Sequence, residues 1–301
     1  MATATAPAPA RRTTSAGQII SRLLFWLLII AILIYTVFPF YWAISSSLKI
    51  GTELYTTPVA YWPVNPSLQN YRDVFANPIF PISLRNSVIV SVTTVLLSLL
   101  IGSLGAYAAG RLKFRGRTLI LYTVLAMTMF PAIAILGSLY QMIVAARLYN
   151  RIPALIFSYM TFTLPFTVWV LTNFFRAMPG ELEEAAFVDG ATPLQTFWRV
   201  LMPLAAPGLV TTGLLAFIAA WNEFLFALTF TQSVGDSFWS FGEGARTAPV
   251  VIATFSGKTE FELPWGSIMA ASVTITIPLI VLVLVFQRKI IAGLTAGAVK
   301  G

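Results

Sequence analysis

The chain has 301 residues, of which 57% are hydrophobic and only 10% are charged, a composition that excludes an ordinary soluble globular protein. It contains no cysteine and no histidine, which excludes thiol catalysis, disulfides, imidazole bases and the usual zinc ligands. The basic residues behind the net charge of +8 are spread over separate segments, so they indicate membrane topology and argue against nucleic-acid binding.

Six long stretches are almost free of Asp, Glu, Lys and Arg, and each is long enough to cross a bilayer core of about 30 Å as a helix. They are apolar on every side, whereas the strands of a membrane barrel would alternate apolar and polar residues. The sequence therefore predicts an all-α membrane protein with six transmembrane helices. The stretches are residues 23–48, 86–110, 118–146, 152–175, 200–235 and 263–287.

The N-terminal segment, residues 1–18, is rich in Ala, Pro, Thr and Ser and has too little apolar surface to fold, so we expect a disordered tail. The first apolar stretch follows basic residues, as in a signal peptide, but it is too long and has no convincing cleavage site. We therefore expect it to be retained, so that residues 19–290 form one transmembrane domain.

The first long connection covers residues 49–85, and a connection of this length is usually functional or disordered. Within it, residues 61–66 combine Tyr, Trp and Pro, which fit an interfacial cap at the level of the lipid headgroups. The same residue types also serve contacts with partner proteins, and the sequence leaves both interpretations open.

The loop at residues 111–117 carries four positive charges, which marks the cytoplasmic side of the membrane. Six spans then place both termini in the cytoplasm. Pro131, Pro165 and Pro278 lie inside predicted spans, where each removes a backbone hydrogen bond and favours a bend. Static packing accounts for these prolines equally well.

Residues 176–204 form the long cytoplasmic connection, and its prolines, glycines and acidic residues predict two short helices. Pro179 and Gly180 precede the first helix, whose acidic residues favour the positive end of the helix dipole, and Gly190 ends it. Thr192 fits the N-cap of the second helix, with proline at the first helical position and glutamine three residues after the cap. The two helices meet at the glycine, which predicts a rigid elbow.

The first of these short helices has a face of small side chains. Leu182, Ala185 and Ala186 share that face by helical spacing, and Glu184 lies beside them. Small side chains allow another protein surface to approach closely. Periodicity alone fits a helix lying on the membrane equally well, so it leaves the choice open.

The run Glu-Ala-Ala-Phe-Val-Asp-Gly at residues 184–190 is followed after nine residues by Val-Leu-Met-Pro, which ends at Pro203. This pattern resembles the EAA loop of ABC importer permeases, in which Glu-Ala-Ala, three residues, Gly and nine residues precede Ile-x-Leu-Pro. Val200 and Met202 replace the usual Ile and Leu conservatively. Further segments look like carbohydrate-uptake permeases of the MalG type, namely residues 62–71, 85–87, 221–224 and 293–301.

The resemblance implies the six-helix ABC importer permease (MetI-like) fold in a multi-pass protein of the bacterial inner membrane. It also implies a MalF-like second permease, two cytoplasmic ATPase subunits and an extracytoplasmic sugar-binding protein. ATP and Mg would be bound by the ATPase subunits, because this chain has no Gly-x-x-x-x-Gly-Lys-Ser/Thr loop, and we expect neither a cofactor nor an enzymatic activity in it. The implied function is import of a di- or oligosaccharide of the maltose or trehalose type, along a path shared with the second permease.

By the same resemblance, the elbow docks in a cleft of an ATPase subunit. The coupling residues that it implies are Leu182, Glu184, Ala185, Ala186, Phe187, Asp189, Gly190 and Pro203. Residues 236–262 correspond in position to an outer loop that reaches into the binding protein, with an irregular solvent loop as the alternative. The tail, residues 291–301, would insert between the ATPase subunits through Thr295 and Lys300, with a solvated helix end as the alternative.

Glu223 is a formal charge inside a predicted span, and a charge at the centre of a membrane helix costs about 2.5–3.5 kcal/mol. It is therefore expected to face protein or water. Glu223 and its neighbour Asn222 are candidates for lining the sugar path, while stabilisation of the helix bundle accounts for Glu223 equally well. The alternative function is a secondary sugar transporter that uses Glu223 for proton coupling, which would be expected to show inverted repeats and broken helices at the midplane.

Overall fold

The structure is a computed structural model that describes residues 16–235, 244–255 and 263–296. All regular elements in these ranges are helical, as predicted, and a 3₁₀ turn at Gly51–Tyr55 and a π-helical turn at Phe197–Leu201 accompany the α-helices. The α-helices are α1 (Ala16–Ser47), α2 (Gln69–Ala76), α3 (Ile79–Arg111), α4 (Arg117–Thr128), α5 (Ala132–Ala145), α6 (Ile152–Ala177), α7 (Glu181–Val188), α8 (Pro193–Thr196), α9 (Met202–Leu204), α10 (Ala206–Trp221), α11 (Leu225–Phe230), α12 (Ala248–Ala253) and α13 (Trp265–Ala296).

Four helices, α1, α3, α6 and α13, are each long and apolar enough to cross a membrane. Helices α4 and α5 pass the same test together but are bent by 97° at their break, and α8 to α9 are bent by 76° relative to α10. The described residues thus contain four candidate spans, or the predicted six if each bent pair is one span. Pro131 is the N-cap of α5 at the larger bend, whereas Pro165 and Pro278 lie within helices that continue past them.

Two predicted helix boundaries are corrected by the structure. Helix α3 begins at Ile79 rather than at residue 86, because its first turn buries Phe80 completely in a cluster with side chains of α2 and α13. Helix α1 begins at Ala16, inside the segment predicted as a disordered tail, and residues 1–15 lie outside the described part of the chain. In both cases the helix extends beyond the stretch that hydropathy alone selects.

The first long connection is tied to the end of α1. The side-chain amide of Asn70 donates hydrogen bonds to the carbonyls of Ser47 and Lys49, at 2.8 and 2.7 Å. Lys49 is itself only 2% exposed, and its ammonium donates to a carbonyl of the connection and lies 4.7 Å from the ring centroid of Trp42. The last carbonyls of α1 are therefore bound by protein groups, as helix ends near a membrane require.

Among the described elements, α3 and α6 form the most extensive helix pair, and small residues let their backbones approach each other. A Cβ atom added to Gly102 of α3 would lie 2.7 Å from Cγ2 of Thr167 on α6. The hydroxyls of Ser98 and Thr163, both buried, are 2.7 Å apart and form a hydrogen bond between the two helices. The close approach and this bond hold α3 and α6 as one packed unit.

Residues 244–255, the described middle part of the predicted outer loop 236–262, pack into the helix bundle. Asn86 of α3 is fully buried, and its side-chain amide donates to the carbonyls of Gly244 and Arg246, both at 3.1 Å. Helix α12, which follows these residues, is buried against α3 and α13. This part of the connection is therefore a fixed element of the fold, which corrects the irregular solvent loop considered from the sequence.

Gly235 and Gly244, the described residues on either side of the segment 236–243, lie against each other. Gly244 has a φ of +97°, and a Cβ atom there would lie 1.9 Å from the backbone nitrogen of Gly235, so only glycine fits. The carbonyl of Asn150 accepts the N–H of Gly244 at 2.7 Å, and its side-chain oxygen accepts two backbone N–H groups that precede Gly235. Residues 236–243 and 256–262 themselves lie outside the described residues.

Gly102→Ala is expected to lower the stability of the protein, because the new methyl group meets Thr167, which is buried and whose hydroxyl is bonded to the carbonyl of Thr163. Overpacking of this kind costs about 1–3 kcal/mol. The matched control is Gly137→Ala, since nothing lies within 4 Å of a Cβ atom at that helical position. Thermal unfolding of the detergent-purified protein measures both changes, and an equal midpoint for the two variants would contradict the close packing of α3 on α6.

Candidate functional site

Helix α7 begins after Pro179 and Gly180, carries three acidic residues in its first turn, and ends at the predicted glycine. The N–H of Gly190 donates to the carbonyl of Phe187 at 3.0 Å, and the N–H of Ala191 donates to that of Ala186 at 2.9 Å. These two bonds, with a φ of +82° at Gly190, form a Schellman motif. The glycine therefore ends the helix and turns the chain, as predicted from the sequence.

The second half of the elbow starts with the predicted capping box. The hydroxyl of Thr192 accepts the N–H of Gln195 at 3.3 Å, and the side chain of Gln195 accepts the N–H of Thr192 at 2.8 Å. A π-helical turn follows, and Pro203 and Pro207 then remove backbone donors where the chain bends by 76° into α10. The elbow predicted at residues 176–204 is thus present with its caps in place.

Aromatic and aliphatic side chains anchor the elbow to the ends of α3 and α6. Phe197, Leu201 and Ala205 are completely buried in a cluster that includes Tyr107 of α3 and Phe175 of α6. The ring centroids of Tyr107 and Phe197 are 5.2 Å apart, and those of Phe175 and Phe197 are 6.1 Å apart. Burial of these large side chains fixes the second half of the elbow to both helices.

An ion pair that sequence reasoning missed anchors the first half of the elbow. Arg111, the last residue of α3, pairs with Glu183 of α7, and the two side chains are only 12% and 13% exposed. The guanidinium also donates to the carbonyls of Met178 at 2.9 Å and Pro179 at 3.2 Å. In the sequence, Arg111 is a basic residue at the end of a predicted helix. It was used only to mark the cytoplasmic side of the membrane, so its pairing with Glu183 was not predicted.

The candidate coupling residues of α7 divide into an outer and an inner set. Ala186 is 8% exposed and Leu182 is half-buried, so both face the chain itself. This corrects the predicted face, in which these two residues would lie with Ala185 on the outer side. The exposed candidates are Glu184, Ala185, Phe187, Asp189, Gly190 and Pro203.

Two residues that the sequence did not single out extend the exposed side of the elbow. Val188 is 87% exposed and Leu194 is 60% exposed, beside Phe187 at 47%. Exposed apolar side chains of this size make the elbow a candidate interaction surface. Thr295 lies in the last turn of α13, and Lys300 lies outside the described residues.

Glu223 lies in a break between α10 and α11, not inside one continuous span. Its carboxylate accepts the N–H of Phe226 at 2.7 Å and that of Ala227 at 3.1 Å, which caps the start of α11. The buried side chain of Tyr159 lies next to the carboxylate. Asn222 is exposed and donates to a carbonyl one turn back in α10, so the two predicted path residues have different surroundings.

A cavity of about 600 Å³ opens between the α4–α5 break, α6 and α11. It is mainly apolar, with hydroxyl groups contributed by threonines. Residues lining it include Thr123, Met127, Phe130, Thr161, Phe162 and Phe226. Among the described residues, no group of three or more His, Cys, Asp and Glu side chains could hold a metal ion.

Residues 98–295 match the family model described as "binding-protein-dependent transport system inner membrane component". The chain belongs to this family. It is 43% identical over 267 residues to the trehalose transport system permease protein SugB of Mycobacterium tuberculosis (strain CDC 1551 / Oshkosh), which covers 89% of this chain and 93% of that protein. It is 42% identical over 291 residues to the trehalose/maltose transport system permease protein MalG of Thermococcus litoralis (strain ATCC 51850 / DSM 5473 / JCM 8560 / NS-C), over 94% of this chain and 99% of that protein.

A solved structure has the same fold. One chain of a bacterial ABC transporter involved in the import of the acidic polysaccharide alginate superposes with a TM-score of 0.76 at 22% identity, over 92% of this chain and 99% of that one. The expected ABC importer permease fold is therefore confirmed. The protein is a multi-pass inner-membrane transport component, and its relatives are permease subunits rather than enzymes.

Glu223→Gln is expected to keep the protein folded and most of its transport, because the amide oxygen still accepts a backbone N–H at the start of α11. Glu223→Ala loses both acceptors and is expected to cost about 1–3 kcal/mol in the free energy of unfolding. Thermal unfolding and substrate uptake measure the two variants, with Glu181→Ala, at an exposed position, as the control. A folded Glu223→Gln protein without uptake would show that the carboxylate does more than cap α11 and would favour a role in the sugar path or in proton coupling.

Proposed function

We propose that this chain is the permease subunit of an ATP-driven, binding-protein-dependent importer of a di- or oligosaccharide of the trehalose and maltose type. The observation that carries the proposal is the 42–43% identity, over nearly the whole length, to permeases named for trehalose and for trehalose and maltose. The elbow is anchored to α3 and α6 and exposes the apolar side chains of Phe187, Val188 and Leu194, which supports the ATP-driven mechanism. Proton coupling at Glu223 is less well supported, since its carboxylate is engaged as a helix cap.

The elbow is proposed to dock on a separate ATPase subunit that binds ATP and Mg, while this chain binds no cofactor. Phe187, Val188 and Leu194 offer apolar surface, and Ala185 allows close approach. Glu184 supplies a charged contact that is worth only about 0–1 kcal/mol at an exposed position, so the apolar contacts provide most of the docking energy. Asp189, Gly190 and Pro203 shape the elbow, and Leu182 and Ala186 hold α7 to the chain.

The remaining partners are proposed on the same basis. A MalF-like second permease would cover the open side of the cavity near Phe226 and part of α1, which is exposed along most of its length. An extracytoplasmic sugar-binding protein would contact the outer loops 49–85 and 236–262. Both termini would be cytoplasmic, with Thr295 and Lys300 of the tail at the ATPase subunits. Asn222 stays a candidate for the sugar path because it is exposed beside the break at Glu223.

Uptake of labelled trehalose and maltose into vesicles that carry the purified complex tests the transport function. We expect uptake to require both ATP on the ATPase side and the binding protein, because the chain itself has no phosphate-binding loop. A sugar that the binding protein does not bind serves as the control. Uptake driven by a proton gradient in the absence of ATP would overturn the proposal in favour of a secondary transporter.

Ala185→Asp tests the docking surface. The residue is exposed, so the chain is expected to fold normally, but a charge buried without a partner in the docked interface costs about 3–5 kcal/mol. We expect the ATPase subunits to be lost from the purified complex and ATP-dependent uptake to disappear. The control is Glu181→Gln, at an exposed position in the first turn of the same helix. An Ala185→Asp complex with normal composition and uptake would contradict docking through this surface.

A further inference from the structure

Arg111 joins three elements at the cytoplasmic end of the bundle. It is the last residue of α3, and its guanidinium pairs with Glu183 in the first turn of α7. The same group donates to carbonyls at the end of α6 and in the turn that leads to α7. These acceptors are the carbonyl oxygens of Phe175 at 3.4 Å, Met178 at 2.9 Å and Pro179 at 3.2 Å.

The chemistry of this contact requires arginine. A guanidinium has five N–H donors in a planar fork, so it can bind a carboxylate on one edge and carbonyls on another, whereas lysine presents a compact charge. A cation is also favoured near the C-terminal carbonyls of α6 by the helix dipole. Because both side chains are largely buried, the pair stabilises the fold only if its other polar atoms are bonded, and the three carbonyls accept the remaining guanidinium N–H groups.

Helix α7 has few other attachments to the bundle. Five of its eight residues are exposed, and Ala186 is its one buried residue. Leu182 and Glu183 are half-buried. The hydrophobic anchors of the elbow, Phe197 and Leu201, lie on its other half, beyond the turn at Gly190. Apart from the buried Ala186 and the half-buried Leu182, α7 is therefore held to α3 and α6 by the contacts of Glu183, of which the ion pair with Arg111 is the charged one.

We propose that Arg111 is a positioning residue for energy coupling, which passes a displacement of α7 to α3 and α6. This inference rests on the proposed docking of the elbow to an ATPase subunit. A force on α7 reaches α3 through the ion pair and α6 through the carbonyls of Met178 and Pro179. Since α3 and α6 are packed as one unit around Gly102, they respond together.

Arg111→Gln and Glu183→Gln test this proposal in the complete complex, reconstituted into proteoliposomes with its partner subunits and binding protein. The measured quantity is the amount of sugar taken up for each ATP hydrolysed. We expect this ratio to fall about tenfold in both variants while ATP hydrolysis continues, since coupling factors of roughly 5–150-fold are typical between linked sites. The matched controls, Arg115→Gln and Glu181→Gln, remove exposed charges next to the same elements and are expected to leave the ratio unchanged.

The ratio separates coupling from stability. If Arg111 only stabilised the fold, its loss would lower the yield of intact complex but leave the uptake per ATP of the intact complexes unchanged. If Arg111→Gln does not assemble, Arg111→Lys decides, because it keeps a charge for Glu183 and loses the fork that reaches the carbonyls. An assembled Arg111→Gln or Arg111→Lys complex with the ratio of the Arg115→Gln control would overturn the inference.

Failure of the underlying function is seen separately in the unaltered complex. If that complex takes up no sugar with ATP and binding protein present, the proposed function fails before any variant is compared. If the unaltered complex is active and the Arg111 variants keep their coupling, the proposed function stands and only the role of Arg111 is rejected.

Discussion

Backbone N–H and C=O groups inside a membrane find no water, so any interruption of a helix there must be matched by other protein groups. The breaks in this chain follow that constraint. At the start of α11 the carboxylate of Glu223 accepts two backbone N–H groups, and at the end of α3 the guanidinium of Arg117 donates to the carbonyls of Ala109 and Gly110. At these two places a charged side chain bonds the backbone groups where the helical hydrogen bonds stop.

The elbow at residues 176–204 is held to the helix bundle in two different ways. The elbow has an apolar anchor at Phe197 and a polar anchor at Arg111, and both lead to the same two helices. An apolar contact tolerates sliding because it has no preferred direction, whereas a fork of directed hydrogen bonds fixes orientation. The two anchors together fix both the position and the orientation of the elbow relative to α3 and α6.

Much of the architecture could be predicted from the sequence, because hydropathy, caps and turn residues act locally. The all-helical membrane fold and the caps at Gly190 and Thr192 depend on neighbouring residues only. The break at Glu223, the pairing of Arg111 with a residue 72 positions away and the inward position of Ala186 could not be predicted, because they depend on how distant elements pack. A window that averages hydropathy also cannot detect a 97° bend, although Pro131 indicated its position.

The contact between Gly235 and Gly244 has a consequence for how such proteins diversify. Gly235 and Gly244 touch through backbone atoms, and the backbone carbonyl and side-chain oxygen of Asn150 bond the chain at Gly244 and just before Gly235. Loop closure is thus provided by the scaffold, and a change in length between the two glycines carries only a small entropic cost. The length and sequence of the chain between these two positions can therefore vary, in evolution or by design, without repacking of the helices that hold them.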